Sequence, residues 1–337
     1  MIQQAIANIV NGENLSEDEA SNVMEEIMNG DALPAQFGAF VTALRLKGET
    51  YLEIAGMARV MRDKALQVKT PGVLVDTCGT GGDGSSTINV STISAFVAVG
   101  AGLTVAKHGN RSITSSCGSA DVLEAAGVKI DLGSDGVKQC IEEVGIGFMF
   151  APVFHPAMRF AGPHRREIGI RTVFNILGPL TNPARANRQV LGVADGSLGK
   201  TMAQVLDRLG SKHALVVHGE DGLDEISICS ETDIWELKEG SIDNYKISPE
   251  LFGLSRSSPE SIQANTLEDN LASMKSVLSG NKGPSRDVVL INAAAALLVG
   301  NIVNDISSGL SVAAESIDKG LAMEKLDSLV DLSQKLS

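Results

Sequence analysis

Aromatic side chains are scarce in this 337-residue chain. They make up 4% of it, and Trp235 is the only tryptophan, which argues against a surface that stacks bases on several rings. Positive charge is short as well. There are 28 Lys and Arg against 41 Asp and Glu, a formal net charge of −13, whereas a nucleic-acid-binding surface is normally basic. An anion would therefore have to be held by a local cluster or through a metal. The four cysteines, Cys78, Cys117, Cys140 and Cys229, form no CxxC pair and no regular framework. They read as reduced thiols of a cytoplasmic protein. The opening stretch "MIQQAIANIVNGENLSEDEA" has no basic segment followed by a long apolar one, so no secretory leader is expected. The apolar run "VVLINAAAALLVGNIV" is interrupted by Asn292, Gly300 and Asn301, and reads as a buried core helix rather than a membrane span.

What is present is a change of period. The first 70 residues are helical in pattern. Ser16 and Glu19 have capping-box spacing, Gly30 sits where a helix would end, Pro34 opens "PAQFGAFVTALRLKG", and a further helix is expected from Tyr51 to Leu66. From "GVLVDT" onward, short β-rich runs alternate with helical ones: "INVSTISAFVAVGAG", "LTVAKHG", "SADVLEAAG", "IGFMFAP", "RQVLGVA", "SLGKTMAQVLDRLG" and "HALVVHG". That alternation predicts an α/β domain with a mainly parallel central sheet. The stretch "RTVFNILGPLTNPARANRQ" breaks it with Gly178, Pro179 and Pro183, and by itself reads as a loop or a hinge.

Three clusters carry chemistry. Gly79, Gly81, Gly82 and Gly84 follow the first strand and lead through Ser85, Ser86 and Thr87 into a helix. Bare backbone and a helix N-terminus together suit a phosphate. No G-K-[ST] follows, so this is not a Walker loop, and a glycine turn that only lets strand and helix pack closely is the competing reading. Asp83 would repel phosphate unless a cation or a sugar hydroxyl lies between them, as a ribose phosphate carrying Mg²⁺ would provide. The next strand ends in "AKHGNRS", with two cations at the same expected sheet edge. A later strand ends in "HGEDGLDEIS", where Asp224 and Glu225 are adjacent hard-oxygen donors; an acidic turn reads the same way.

The strings "GTGGD", "NVST", "KHGNRS", "GSADVLEAAG", "HPAMR", "RREIGIRTVFNILGPLTNP" and "HGEDGLDEIS" occur in that order. Together they closely resemble the anthranilate phosphoribosyltransferases, over most of the chain. The resemblance implies a small helical domain (residues 1–70, with about 171–188 returning to it) and a larger α/β domain (71–170 and 189–337), with the substrate cleft at their junction. It implies that the phosphoribosyl group of phosphoribosyl pyrophosphate passes to the amine of anthranilate in tryptophan biosynthesis. By position, Gly79, Gly82, Asp83 and Thr87, then Asn89, Val90, Ser91 and Thr92, would hold phosphoribosyl pyrophosphate. So would Lys107, His108, Gly109, Asn110 and Arg111, with Ser112, Ile113, Thr114, Ser115 and Ser119. Ser91, Asp224 and Glu225 would ligate two Mg²⁺ ions per subunit, and Gly79, Asn110 and Arg165 would face anthranilate, Arg165 meeting its carboxylate. The resemblance further implies a homodimer through the helical domain and anthranilate synthase as a candidate partner, with no nucleic acid and no membrane.

One position departs from the pattern: Ser116 stands where a basic residue is expected before "GSAD", which should weaken pyrophosphate binding slightly. An aromatic amine needs no strong base, so none of His108, His155, His213 and His218 is assigned a catalytic role. A pyrimidine nucleoside phosphorylase shares this architecture and is the rival enzyme reading. A non-catalytic nucleic-acid-binding relative is the rival from another class.

Overall fold

The computed structural model describes residues 1–112 and 117–336. The chain opens with four helices: α1 (Ile2–Val10), α2 (Glu17–Asn29), α3 (Pro34–Lys47) and α4 (Tyr51–Lys64). Their ends follow local chemistry. The Ser16 hydroxyl accepts from the Glu19 amide at 3.2 Å while Glu19 accepts from the Ser16 amide at 2.8 Å, and Gly30 closes α2 in the left-handed region at φ 83°. Helix α4 stops at Lys64, short of the expected Leu66. Ala65 is already extended, and the Leu66 amide donates to the Phe154 carbonyl at 2.9 Å.

The α/β part runs β1 (Val75–Gly79), α5 (Val90–Gly100), β2 (Val105–Gly109), α6 (Ser119–Ala125), α7 (Ser134–Val144) and β3 (Ile146–Phe150). Three short helices follow: α8 (Ala151–Phe154), α9 (Gly162–Ile168) and α10 (Phe174–Leu177). Then come β4 (Arg188–Gly192), α11 (Gly199–Arg208), β5 (His213–Gly219), β6 (Thr232–Lys238) and β7 (Ser241–Ile247). The chain closes with α12 (Leu267–Leu278), α13 (Pro284–Val299), α14 (Ile306–Asp318) and α15 (Leu321–Lys335). The sheet order is β3-β2-β1-β4-β5-β6-β7. Its first five strands are parallel, as the alternation predicts, and β6 and β7 add an antiparallel hairpin at one edge. Helix α13 is buried on nearly every side, as its all-round Val, Ala and Leu content requires. Among the described residues no helix is long and apolar enough to cross a membrane.

Two cores flank the sheet. One unites α5, α6, α7 and α12 to α15 with one sheet face. The other joins α1 to α4 with α11 and the opposite face, through Leu191, Val193, Ala214 and Val216. Val173, Phe174, Ile176, Leu177 and Leu180 belong to this second core. The segment from 171 to 183 therefore crosses from the sheet to the four-helix layer, where Arg62 of α4 donates from Nε to the Leu180 carbonyl at 2.6 Å. The carboxyl ends of β1, β2 and β5 open beneath this crossing segment.

Candidate active site

At those strand ends lies a cleft of about 350 Å³. The glycine loop forms one wall. A Cβ on Gly79 would lie 2.1 Å from Asp224 Oδ2, so only bare backbone lets β1 approach that carboxylate. Gly81, Gly82 and Gly84 are left-handed, at φ 65°, 78° and 70°. The Gly81 amide donates to Asp224 Oδ2 at 2.7 Å, and the Thr80 amide donates to the Gly192 carbonyl at 2.9 Å. Helix α5 starts just beyond. Asn89 does not cap it; its amide group donates to Asn270 at 2.8 Å instead. The first-turn amides are already engaged: Val90 N donates to the Ile88 carbonyl at 2.7 Å, Ser91 N to Glu225 Oε1 at 3.1 Å and Thr92 N to the Asn89 carbonyl at 3.1 Å.

Asp224 and Glu225 lie side by side at the cleft floor. Burial, and then the charge of Asp83, pushes Asp224 up to about 6. Burial, and then the charge of Asp224, holds Glu225 higher still. Carboxylates crowded against their own charge are suited to a divalent cation, and with the Ser91 hydroxyl they form a hard-oxygen donor set that fits Mg²⁺. Among the described residues no three His, Cys, Asp or Glu side chains are arranged to hold an ion alone. Mg²⁺ typically takes one or two carboxylates and completes its shell with phosphates and water. Lys107 lies behind this pair, 2% exposed. Its Nζ donates to the Thr77 carbonyl at 2.6 Å and to Ser91 Oγ at 3.4 Å. Burial lowers its pKa while Asp76, Cys78 and Glu225 pull it back up. Lys107 thus acts from beneath, orienting Ser91 and offsetting buried negative charge.

At the other end of the cleft α9 presents Arg165. Its guanidinium lies 5.4 Å from the Phe174 ring centroid, and among the described residues it has no carboxylate partner. Burial lowers its pKa, as for a cation waiting for an anion. His108 and His155 form a buried pair, with Nε2 atoms 3.2 Å apart. His213 meets Glu236 at 2.9 Å and His218 meets the Val193 carbonyl at 2.8 Å.

The cleft gathers Gly79, Gly82, Asp83, Thr87, Asn89, Val90 and Ser91 with Lys107, His108, Gly109, Asn110, Arg111, Ser112, Ser119, Arg165, Asp224 and Glu225. Thr92 lies off its wall, fully buried, and among the described residues its hydroxyl has no partner. The Arg111 guanidinium turns to Asp121 and Glu124, at 2.9 and 2.7 Å. Ile113, Thr114 and Ser115, and the departure at Ser116, lie outside the described residues. The cleft also includes Arg171, Asn175 and Pro179, which sequence reasoning did not single out as site residues. The "RTVFNILGPLTNP" string was the available signal, since a glycine- and proline-rich break in an α/β alternation often carries function.

Known proteins place this geometry. Residues 3–65 match the helical bundle domain of a glycosyl transferase family and residues 71–323 its a/b domain. Over 339 residues the chain is 55% identical to an anthranilate phosphoribosyltransferase of Dehalococcoides mccartyi, covering 100% of this chain and 99% of that one. The chain belongs to the anthranilate phosphoribosyltransferase family. The enzyme of that family from Thermus thermophilus superposes with a TM-score of 0.93 at 42% identity, over 98% of this chain and 99% of that one. The Saccharomyces cerevisiae enzyme, solved in complex with PRPP and Mg, superposes at 0.91 with 28% identity, over 99% of this chain and 98% of the other. The helical layer and seven-stranded sheet described above are thus the anthranilate phosphoribosyltransferase fold.

Proposed function

We infer that the cleft transfers the phosphoribosyl group of phosphoribosyl pyrophosphate to the amine of anthranilate, releasing pyrophosphate, as a step of tryptophan biosynthesis. The observation that carries this reading is the juxtaposition of two unlike subsites. An amide-rich glycine loop beside crowded carboxylates lies at one end, and a half-buried, unpaired Arg165 over Phe174 lies at the other.

The residues divide the work. The glycine loop faces the phosphates, and Asn110 with Gly79 borders the anthranilate ring. Arg165 pairs with the anthranilate carboxylate, its fork matching a planar anion in both geometry and charge. Ser91, Asp224 and Glu225 would hold Mg²⁺, two ions per subunit, which would supply positive charge for the leaving pyrophosphate. The ribose centre develops oxocarbenium character as the leaving group departs. Fixed dipoles of the glycine loop and the buried Lys107 cation stabilise the negative charge that develops on the leaving pyrophosphate, without reorganising. The amine attacks as the free base, so no strong general base is required.

Residues 1–70 with about 171–188 form the helical domain, and 71–170 with 189–337 the α/β domain. The shared core of Val173, Leu177 and Leu180 with α1 to α4 supports that division. A cytoplasmic homodimer through the helical domain completes the reading, with exposed Val10, Leu33 and Leu46 as apolar contact residues and anthranilate synthase as the partner supplying the amine.

The test is the loss of anthranilate fluorescence on mixing with phosphoribosyl pyrophosphate and Mg²⁺. Decay that needs all three components is the expected result. Folded protein that leaves fluorescence unchanged yet cleaves thymidine or uridine with phosphate would replace this reading with nucleoside phosphorolysis.

A further inference from the structure

Arg171 opens the crossing segment and reaches back to the glycine loop. Its Nη2 donates to the Gly81 carbonyl at 3.1 Å. Its Nη1 lies against the bare face of Gly82, 1.5 Å from where a Cβ would stand. On the other side of the same residue, the Gly81 amide donates to Asp224 Oδ2 at 2.7 Å. Gly81 is therefore gripped at both ends, by a carboxylate of the α/β sheet and by a cation of the crossing segment. The grip matters because Gly81, Gly82 and Gly84 sit at φ 65°, 78° and 70°, in a run that loses much conformational freedom when ordered. Arg171 also borders a second cavity of about 250 Å³ that adjoins the cleft and is closed by Arg45 and Glu49, at and just beyond the end of α3. The loop and the end of α3 thus face each other across this cavity, with Arg171 on its wall.

We propose that Arg171 is a positioning residue for phosphoribosyl pyrophosphate, holding the glycine loop in its anion-binding conformation and making that conformation depend on the seating of the crossing segment. The proposal rests on the assignment of the loop to that substrate. Arg171 acts through Gly81 and Gly82 rather than on the reacting atoms. Its planar fork explains why a lysine would not replace it: one amino group cannot both bond the Gly81 carbonyl and cover Gly82. The close fit also means that Gly82 is held bare twice over, by its backbone conformation and by the guanidinium above it.

The test compares wild type, Arg171→Ala and Arg171→Lys in two measurements. Backbone amide exchange over residues 79–84 of the free protein is expected to speed up by about tenfold in both variants, the loss of one charged hydrogen bond. Exchange in β5 should stay unchanged. In steady-state kinetics the KM for phosphoribosyl pyrophosphate should rise by about tenfold, with the anthranilate KM moving by less than about threefold. Unchanged exchange over 79–84, an equal rise of both KM values, or full recovery by lysine would each overturn the proposal; recovery by lysine would leave only simple charge attraction. Absence of any turnover in wild type would count against the assigned reaction instead, and the exchange measurement would still decide the role of Arg171.

Discussion

The Nε2 atoms of His108 and His155 lie 3.2 Å apart, with the ring centroids separated by 4.9 Å. Burial, reinforced by His155, pushes His108 down to about 3. Burial likewise pushes His155 down to about 4. Backbone hydrogen bonds at Gly178 and Thr181 act against both shifts, so each ring is also tied to the crossing segment. Both rings are neutral at physiological pH.

That neutrality has a signed consequence for stability. In the unfolded chain a histidine takes up its proton near about 6.5, well above the folded values. The unfolded state therefore binds more protons, and the stabilisation is complete above about pH 6.5 and lost progressively as pH falls toward about 4. Thermal melts at pH 7.5, 6 and 5 should show a falling Tm for wild type. His155→Asn should flatten that slope over the same window while lowering Tm at pH 7.5. Parallel slopes for the two proteins would contradict the neutral pair.

Arg165→Ala should raise the anthranilate KM by about tenfold or more, the cost of one charge-assisted pair, and leave the phosphoribosyl pyrophosphate KM nearly unmoved. Arg165→Lys should recover little of it, because a point charge lacks the planar fork and stacks less well on Phe174. Equal effects on both KM values would remove Arg165 from the anthranilate subsite.

Asp224 and Glu225 are held at a cost to the free protein, since burial raises both, with Asp83 repelling Asp224 and Asp224 repelling Glu225. The double variant Asp224→Asn/Glu225→Gln keeps the shapes and removes the charges. It should melt higher than wild type without metal and lose the Mg²⁺-dependent rise in Tm, the trade of stability for function expected where like charges are gathered on purpose. A variant that still gains Tm with Mg²⁺ would place the ions elsewhere.

The sequence made the parallel sheet readable because hydrophobic period and glycine punctuation change together at each strand end. The glycine loop, Lys107 and the Asp224–Glu225 pair were readable for the same reason, each sitting at or just past the end of a β-rich run. The β6–β7 hairpin was not anticipated. Its turn, Glu239 and Gly240 with φ 47° and 83°, lies between strands carrying Asp, Glu and Lys, and such half-exposed strands lack a strong apolar signal. Nor does any local pattern show that Val173, Leu177 and Leu180 are fully buried. Their burial follows from where the four helices sit, and only the family resemblance anticipated it.

The contact that fixes the crossing segment to the sheet also leaves no local trace. Asn182 and Asp76 are 2% and 0% exposed. Asn182 donates from Nδ2 to Asp76 Oδ2 at 2.7 Å and to the Ala106 carbonyl at 2.8 Å, and its Oδ1 accepts from the Ala184 amide at 2.9 Å. The other oxygen of Asp76 accepts from the His108 amide at 3.3 Å. Burial raises the Asp76 pKa, while Lys107 and then Asn182 lower it, so the carboxylate relies on both neighbours. Asn182→Ala should therefore cost about 2–3 kcal/mol of stability, since a buried acceptor loses its donor. Asn182→Asp should cost more at pH 8, because it sets two carboxylates together, and should recover as pH falls and one of them protonates. Exchanging the pair, Asp76→Asn with Asn182→Asp, restores one donor opposite one carboxylate. Chemical denaturation of wild type, both single variants and the exchanged pair should yield a double-mutant coupling of the same order as the Asn182→Ala loss. Additive effects would mean that the two side chains do not support each other and that the crossing segment is seated by its apolar residues alone.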